Sequence, residues 1–505
     1  MTELNARPRW VRRLVPATTG LLAASALPPL DLGPIIFVAP VPLLMAWRSR
    51  GADVRGAAAD GFVAGVAYFA FVVSWTWYFG AVAYFPFVAV LAAYWALTGA
   101  LVALAQRGGV RRPLVIAAAW TLVEALRGRW PFGGFSWGEF GYALHDVPVA
   151  RSVAGWGGVL AVSFLVVVSA AYIEEFLDRR GRGVATRSVG LGLVGVVVIA
   201  IGAHVALPDL KPGATIRVAI VQGNDKNRTL TSAELAERFL PVSHFTLARG
   251  LDDPVDLIVL PESSLDEDPR IDEFLLDEIR SIARTHDAAV LANAAVEIDD
   301  GRRLENTNFY FDPDGELVGT YVKQHLVPYG EYVPGRRFLE ELVKELEQIP
   351  RDQAPGDRRE IFRAGGVPFA NLICFESAFT EISRAYADEG AEVLVVSTNN
   401  RSFRRSPNSA QHLALGQMRV AETGRPLVQA AISGRSAFID ADGDVVATTQ
   451  LFDRTTLVRS VTGTRGRTPY VALGDWMLVV AAAILVVAAV RARRVMRFAA
   501  SGTHS

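Results

Sequence analysis

Asn371-Leu372-Ile373-Cys374-Phe375-Glu376-Ser377 places the only cysteine of a 505-residue chain at the end of an apolar run, with a carboxylate two residues later. A short apolar run of this kind reads as a buried strand, so the sulfur stands at a strand terminus. A lone cysteine cannot close an intramolecular disulfide. It is then either an inert buried hydrophobe or a nucleophile. Two further segments weigh for the second role. Leu257-Ile258-Val259-Leu260-Pro261-Glu262-Ser263 brings a carboxylate to the end of another apolar strand, and Leu317 to Lys323 brings an amine to the end of a third. A cysteine nucleophile needs a base to take its proton and a cation or N–H groups to hold the oxyanion. Glu262, Lys323 and Cys374 supply that set.

Outward from these strands the composition shifts. The chain is 51% hydrophobic with a net charge of −1 and a mean hydropathy of +0.26. No basic stripe argues for nucleic acid. From Leu14 to about Pro208 apolar stretches are cut by short Arg-rich or Pro/Gly breaks, and from Asp209 to about Tyr470 the composition is that of an ordinary globular domain. At about 260 residues that domain can bury its own core. A bilayer crossing takes about 20 apolar residues, which nominates 12–30, 33–48, 57–80, 82–106, 112–128, 151–177, 187–207 and 472–491 as spans. The reading is therefore 1–208 as a helical membrane domain of seven spans, 209–470 as an extracytoplasmic catalytic domain, and 471–505 as a closing span with a cytoplasmic tail. The start of the chain is basic and apolar, but further spans follow at once and no small-residue cleavage site stands out, so it reads as retained rather than as a signal peptide.

Arginine sets the orientation. Arg7, Arg9, Arg12 and Arg13 precede the first span; Arg48, Arg50 and Arg55 follow the second; Arg107, Arg111 and Arg112 follow the fourth; Arg179, Arg180 and Arg182 follow the sixth; Arg491, Arg493, Arg494 and Arg497 follow the last. The alternate connections carry almost no Lys or Arg. Both termini are thus expected in the cytoplasm and residues 209–470 outside. The outer connection Trp130-Pro131-Phe132-Gly133-Gly134-Phe135-Ser136-Trp137 is either an interfacial aromatic belt or part of a lipid entrance. Glu124, with Arg127 one turn later, is either a functional ionisable group or half of an intrahelical ion pair. The seven histidines show no ligand spacing, and no Gly-rich loop precedes Lys-Ser/Thr, so neither metal nor cofactor is expected.

Pro261-Glu262, then Lys323 with Pro328-Tyr329-Gly330-Glu331-Tyr332-Val333-Pro334, then Cys374-Phe375-Glu376, in this order, resemble the nitrilase superfamily. The whole chain resembles the bacterial apolipoprotein N-acyltransferase family. In the membrane half Trp120-Thr121-Leu122-Val123-Glu124-Ala125-Leu126-Arg127 and Gly134-Phe135-Ser136-Trp137 carry the likeness. In the soluble half Val221-Gln222-Gly223-Asn224, the three strands above and Arg419 to Pro426 carry it. The resemblance implies a polytopic α-helical membrane domain plus an α/β nitrilase-like αββα sandwich, in a monomer of the bacterial cytoplasmic (inner) membrane. It implies acyl transfer from a membrane phospholipid to the N-terminal amine of a diacylglyceryl-apolipoprotein, by ping-pong through a thioester. By the same resemblance Cys374 is the nucleophile, Glu262 the general base and Lys323 the oxyanion donor, helped by the N–H of Phe375. Glu331 orients this set and Glu376 holds the loop after the nucleophile, with a plain buried salt bridge as the alternative for each. Trp137, Asn399 and Tyr332 are the implied substrate contacts.

Two positions depart from the family pattern. Ser402 stands where a Trp is common after Thr398-Asn399, and no Trp follows Gln222-Gly223-Asn224 in Asp225-Lys226-Asn227. The long charged segment from Gly335 to Arg358 reads as either a surface excursion or a mobile lid, and the resemblance implies the lid. A membrane-anchored amidase would share the three residues but would not need seven spans before its catalytic domain. An inert scaffold would not need all three positions filled.

Overall fold

The computed structural model describes residues 9–106, 112–225, 231–339 and 349–501. Arg7, Arg107, Arg111, Lys226, Asn227 and the 340–348 portion of the expected lid lie outside the described residues. The chain divides into two compact units, Met1–Leu207 with Leu473–Ser505, and Pro208–Ala472.

The first unit is helical: Arg9–Ser25, Val41–Arg50, Val54–Val72, Ala81–Ala105, Arg112–Arg127, Pro148–Gly181, Arg187–Ala206 and Trp476–Ser501. Three described helices are long and apolar enough to cross a bilayer: Ala81–Ala105, Pro148–Gly181 and Arg187–Ala206. The 33–48 stretch, expected as one span, is instead a 3-10 turn at Gly33–Phe37 and a ten-residue helix at Val41–Arg50. The reason is Pro40 and Pro42, which sit at the cap and first turn of the second piece. Proline starts a helix well and cannot continue one. Pro148–Gly181 bends at Gly157-Gly158, where Gly158 has φ +73°, a conformation open to glycine alone without strain.

Charges inside this unit are met either by an opposite charge or by hydrogen bonds, as groups removed from water require. The fully buried Glu174 takes Arg48 and Arg112, each at 2.5 Å, and Asp60 takes Arg50 at 2.8 Å. The end of Val41–Arg50, the start of Arg112–Arg127 and the later part of Pro148–Gly181 therefore meet at one carboxylate. Glu124 and Arg127 do not pair along their helix. Glu124 accepts from Trp120 Nε1 (3.0 Å) and from the Phe140 N–H (3.1 Å), while Arg127 donates to the carbonyls of Phe135 (2.7 Å) and Trp137 (2.6 Å). The Gly-rich connection doubles back on this helix and offers it backbone partners.

The second unit holds two six-stranded sheets. One contains β1 (Lys211–Gln222), β2 (Leu257–Val259), β3 (Ala289–Ile298), β4 (Arg303–Phe311), β5 (Leu317–Val322) and β12 (Thr455–Arg465), in the order β12-β1-β2-β3-β4-β5. The other contains β6 (Ile361–Ala364), β7 (Val367–Ile373), β8 (Val393–Thr398), β9 (Leu427–Ala431), β10 (Ala437–Ile439) and β11 (Val445–Thr448), in the order β11-β10-β9-β8-β7-β6. Strand alternation builds the layers. Val218, Ile220, Leu257, Val259 and Leu291 join Phe369, Ile373, Val393 and Val395 in the core between the sheets. The intervening Ala219, Val221, Ile258, Leu260 and Val290 face the helices Phe239–Arg249 and Glu273–His286. The central strands β2 and β8 run parallel to both neighbours, β7 runs parallel to β8 and antiparallel to β6, and all three are buried, hence their largely apolar sequences.

Candidate active site

The residues singled out in the sequence leave the carboxyl ends of these strands, where open α/β sheets place their ligand sites. Cys374 follows β7 directly and opens the 3-10 turn Cys374–Ala378. Its φ is +51°, a strained value for a non-glycine residue that the surroundings must impose. Glu262 stands three residues past β2, Lys323 one residue past β5, and Thr398 and Asn399 at the end of β8.

Lys323 is fully buried and lies between two carboxylates, with Nζ 2.5 Å from Glu331 Oε1 and 3.4 Å from Glu262 Oε1. Burial alone would discharge it, but Glu262, Glu331 and the Cys374 sulfur outweigh that and hold its pKa above the usual lysine value. Burial pushes the Glu331 carboxyl up and Lys323 pulls it back; its second oxygen accepts the Val327 N–H at 2.8 Å. Glu262 accepts the Asn399 N–H at 2.7 Å on one oxygen and Asn306 Nδ2 at 2.7 Å on the other. The Cys374 thiol receives the Thr398 hydroxyl at 3.2 Å and the Asn399 N–H. Burial, then the charge of Glu262, push it up to about 12, with Lys323 opposing. Burial therefore favours the protonated thiol at rest, and the geometry suits removal of the proton during attack.

Glu376 holds the nucleophile turn. It accepts the Ile373 N–H at 2.8 Å on one oxygen, and Tyr321 Oη (2.8 Å) with the N–H groups of Gln324 (2.7 Å) and His325 (3.2 Å) on the other. It thus ties the end of β5, and with it Lys323, to the end of β7. The buried salt bridge considered for Glu376 gives way to hydrogen bonds from neutral groups, whereas Glu331 is ion-paired to Lys323. Phe375 is buried edge-on against Phe379 at 4.9 Å. Tyr332 is half-buried, its carbonyl accepting the Tyr329 N–H at 2.8 Å. Trp137 belongs to the helical unit, buried against Trp75 and Phe135. The described ends of the 335–358 segment are pinned: Arg336 reaches Asp352 at 2.6 Å, and Gln353 N–H donates to the Glu331 carbonyl at 2.7 Å.

Two supporting groups were not anticipated. Behind Glu262 runs a relay of buried asparagines, in which Asn293 Nδ2 donates to Asn306 and Asn308, both at 2.9 Å, and Asn293 Oδ1 accepts the Ser263 N–H at 2.8 Å. Behind Cys374 lies His412, held neutral because burial lowers its pKa to about 4. Its Nε2 is 3.2 Å from the Cys374 carbonyl and 2.6 Å from Ser377 Oγ, and its Nδ1 is 3.4 Å from Thr398 Oγ1. With Ser377, which donates to the same carbonyl at 3.0 Å, it fixes the strained turn.

Residues 19–172 match the family described as apolipoprotein N-acyltransferase N-terminal domain, and residues 217–470 match carbon-nitrogen hydrolase. The apolipoprotein N-acyltransferase of Geobacter metallireducens is 31% identical over 98% of this chain and 98% of its own. That of Methylococcus capsulatus is 32% identical over 92% of each. Among solved structures, the nitrilase-superfamily protein Nit3 of Saccharomyces cerevisiae aligns with 50% of this chain and 91% of its own, at 16% identity and a TM-score of 0.38.

Proposed function

The chain belongs to the apolipoprotein N-acyltransferase family, and from that premise we propose that it moves an acyl chain from a membrane phospholipid to the N-terminal amine of a diacylglyceryl-cysteine, through a thioester on Cys374. The observation that carries this is the buried Lys323 amine held between Glu262 and Glu331, in one site with the Cys374 thiol that receives the Thr398 hydroxyl. As the sulfur attacks the phospholipid ester carbonyl, Glu262 takes its proton. That transfer also removes the negative charge that opposed ionisation and leaves Lys323 facing the nascent thiolate. The oxyanion of the tetrahedral intermediate is held by Lys323, with the Phe375 N–H as second donor. Collapse expels the lysophospholipid alkoxide, which leaves with the proton from Glu262. The acceptor amine then attacks the thioester, Glu262 takes its proton, and the thiol is restored. Ping-pong order follows, because the first product leaves before the second lipid enters. Mass spectrometry of a lipoprotein N-terminus from cells with and without the protein tests the reading. A triacyl form is expected only in its presence; a diacyl form in both would overturn it.

The acceptor amine appears only after export and signal-peptide cleavage, so the catalytic unit belongs on the outer face, with both termini in the cytoplasm. The alternation of Arg-bearing and uncharged connections supports this orientation. In a Cys374→Ala background, cysteines introduced at the exposed Ser188 and Ser232 report on it. A membrane-impermeant maleimide on cells with a permeable outer barrier labels position 232 and spares 188. The opposite pattern would refute transfer to exported lipoproteins.

A further inference from the structure

We propose that the Thr398 hydroxyl donates to the Cys374 sulfur whenever the sulfur is charged and turns to His412 while the sulfur holds the acyl group. Thr398 is then a further catalytic residue and His412 its positioning partner. The proposal rests on Cys374 being the thioester-forming nucleophile. It starts from one oxygen: Thr398 Oγ1 lies 3.2 Å from Cys374 Sγ and 3.4 Å from His412 Nδ1. Thr398 ends β8, and His412 comes from the helix Asn408–Thr423. Both side chains are buried, so the hydroxyl finds its acceptor among protein groups and not in water.

The tautomer of His412 decides whether the second acceptor exists. A neutral imidazole carries one N–H and one lone pair, and burial keeps His412 neutral by lowering its pKa to about 4. Its Nε2 is 3.2 Å from the Cys374 carbonyl. A carbonyl only accepts, so the proton sits on Nε2. Ser377 donates its own proton to that carbonyl at 3.0 Å and offers its oxygen to Nε2 at 2.6 Å. The lone pair is therefore on Nδ1, facing the Thr398 hydroxyl.

The sulfur changes as an acceptor during the cycle. When Glu262 takes the thiol proton the sulfur gains charge, and a hydrogen bond to a charged atom is the stronger kind. The Thr398 hydroxyl then donates to it beside the Asn399 N–H. Once the sulfur is bonded to the acyl carbon and the lysophospholipid has left, the thioester sulfur is neutral and a weak acceptor. A buried hydroxyl held against it would lack a good partner and would raise the energy of the acyl-enzyme. Rotation about its C–O bond gives the hydroxyl His412 Nδ1 instead, and the thioester persists while one lipid departs and the next arrives. When the amine attacks, the carbon–sulfur bond breaks, the sulfur leaves with the electron pair, and the hydroxyl turns back to it. Threonine keeps its proton throughout; the thiol is restored with the proton that Glu262 took from the amine.

The test pairs kinetics with alkylation in the purified full-length protein. T398V keeps the shape and loses the hydroxyl. Thioester formation from phospholipid and aminolysis of the isolated thioester should each slow about tenfold or more, as for a lost hydrogen bond to a charged group. Glu262 and Lys323, the charges that face the sulfur, stay in place, yet iodoacetamide should need a pH about one unit higher to reach Cys374, the same factor of ten. T398S should recover most of both losses. Two variants divide His412: the amide of H412Q reproduces the Nε2 donor without the Nδ1 acceptor, and that of H412N does the reverse. With phospholipid and lysophospholipid at equal concentration, the ratio of acylated to free protein should fall about fivefold in H412Q, as for a lost hydrogen bond between neutral groups. H412N should hold that ratio even where its loosened turn slows both steps. An alkylation onset unmoved by T398V, or a loss confined to one of the two steps, would overturn the proposal. So would equal ratios in H412Q and H412N, which would leave His412 a support of the turn alone. Each of these outcomes leaves the thioester itself standing. No thioester in the intact protein given phospholipid would instead strike the reading of Cys374, and the proposal with it.

Discussion

Cys374→Ala ends acyl transfer, and Cys374→Ser retains on the order of 10⁻⁴ of it or less, the scale seen when a nucleophile is removed from a site whose parts act together. Serine fails for a reason visible at this site. Burial and Glu262 already push the thiol up to about 12, and a hydroxyl starts far above a thiol, beyond the reach of a carboxylate base. With phospholipid as sole substrate, the intact protein should release about one lysophospholipid per polypeptide and hold a thioester that hydroxylamine cleaves. The alanine variant should show no such burst. Alanine replaces a small side chain and inherits the same φ of +51°, so the fold should be retained and the loss assigned to the sulfur. Normal turnover by Cys374→Ala would remove this residue from the mechanism.

The ends of the buried strands were legible because their sequences are unambiguous. Leu257 to Leu260 and Leu372-Ile373 are unbroken apolar runs, as strands covered on both faces must be, and a charged or nucleophilic residue just beyond such a run has little choice about where it emerges. The supports were harder to read. Asn306 and Asn308 alternate on one strand and Asn293 pairs in register with Asn308, so three buried amides meet behind Glu262. Asparagine is disfavoured in strands, and that was the available signal. His412 reaches the nucleophile from the helix Asn408–Thr423, a connection that no local pattern reveals. In the helical unit, average hydropathy made 33–48 look like a span although Pro40 and Pro42 break it. The Glu124–Arg127 spacing suggested a pair because helical periodicity ignores the connection that folds back and satisfies both groups separately.

Glu262→Gln and Lys323→Met should each slow thioester formation on the order of 10²-fold or more, the usual worth of a positioned base or an oxyanion donor, yet shift the thiol in opposite directions. The Glu262 charge raises the Cys374 pKa and the Lys323 charge lowers it. Glutamine therefore moves the thiol down toward the ordinary cysteine range, so alkylation of Cys374 by iodoacetamide sets in at lower pH even as turnover is lost. Methionine moves it up, so alkylation needs higher pH than in the intact protein. Lys323→Met also leaves Glu262 and Glu331 facing one another without the cation between them. Removing one partner of a buried ion pair costs about 3–5 kcal/mol, so this variant should melt earlier, and its alkylation profile must be taken well below its melting temperature. Single-turnover thioester formation and the pH dependence of alkylation separate the two roles. Glutamine at 262 that left acylation at its normal rate would show that another group takes the proton. A thiol profile unmoved by either substitution would show that these charges do not govern the sulfur, and the balance between Glu262 and Lys323 would no longer explain how a buried, protonated cysteine attacks an ester.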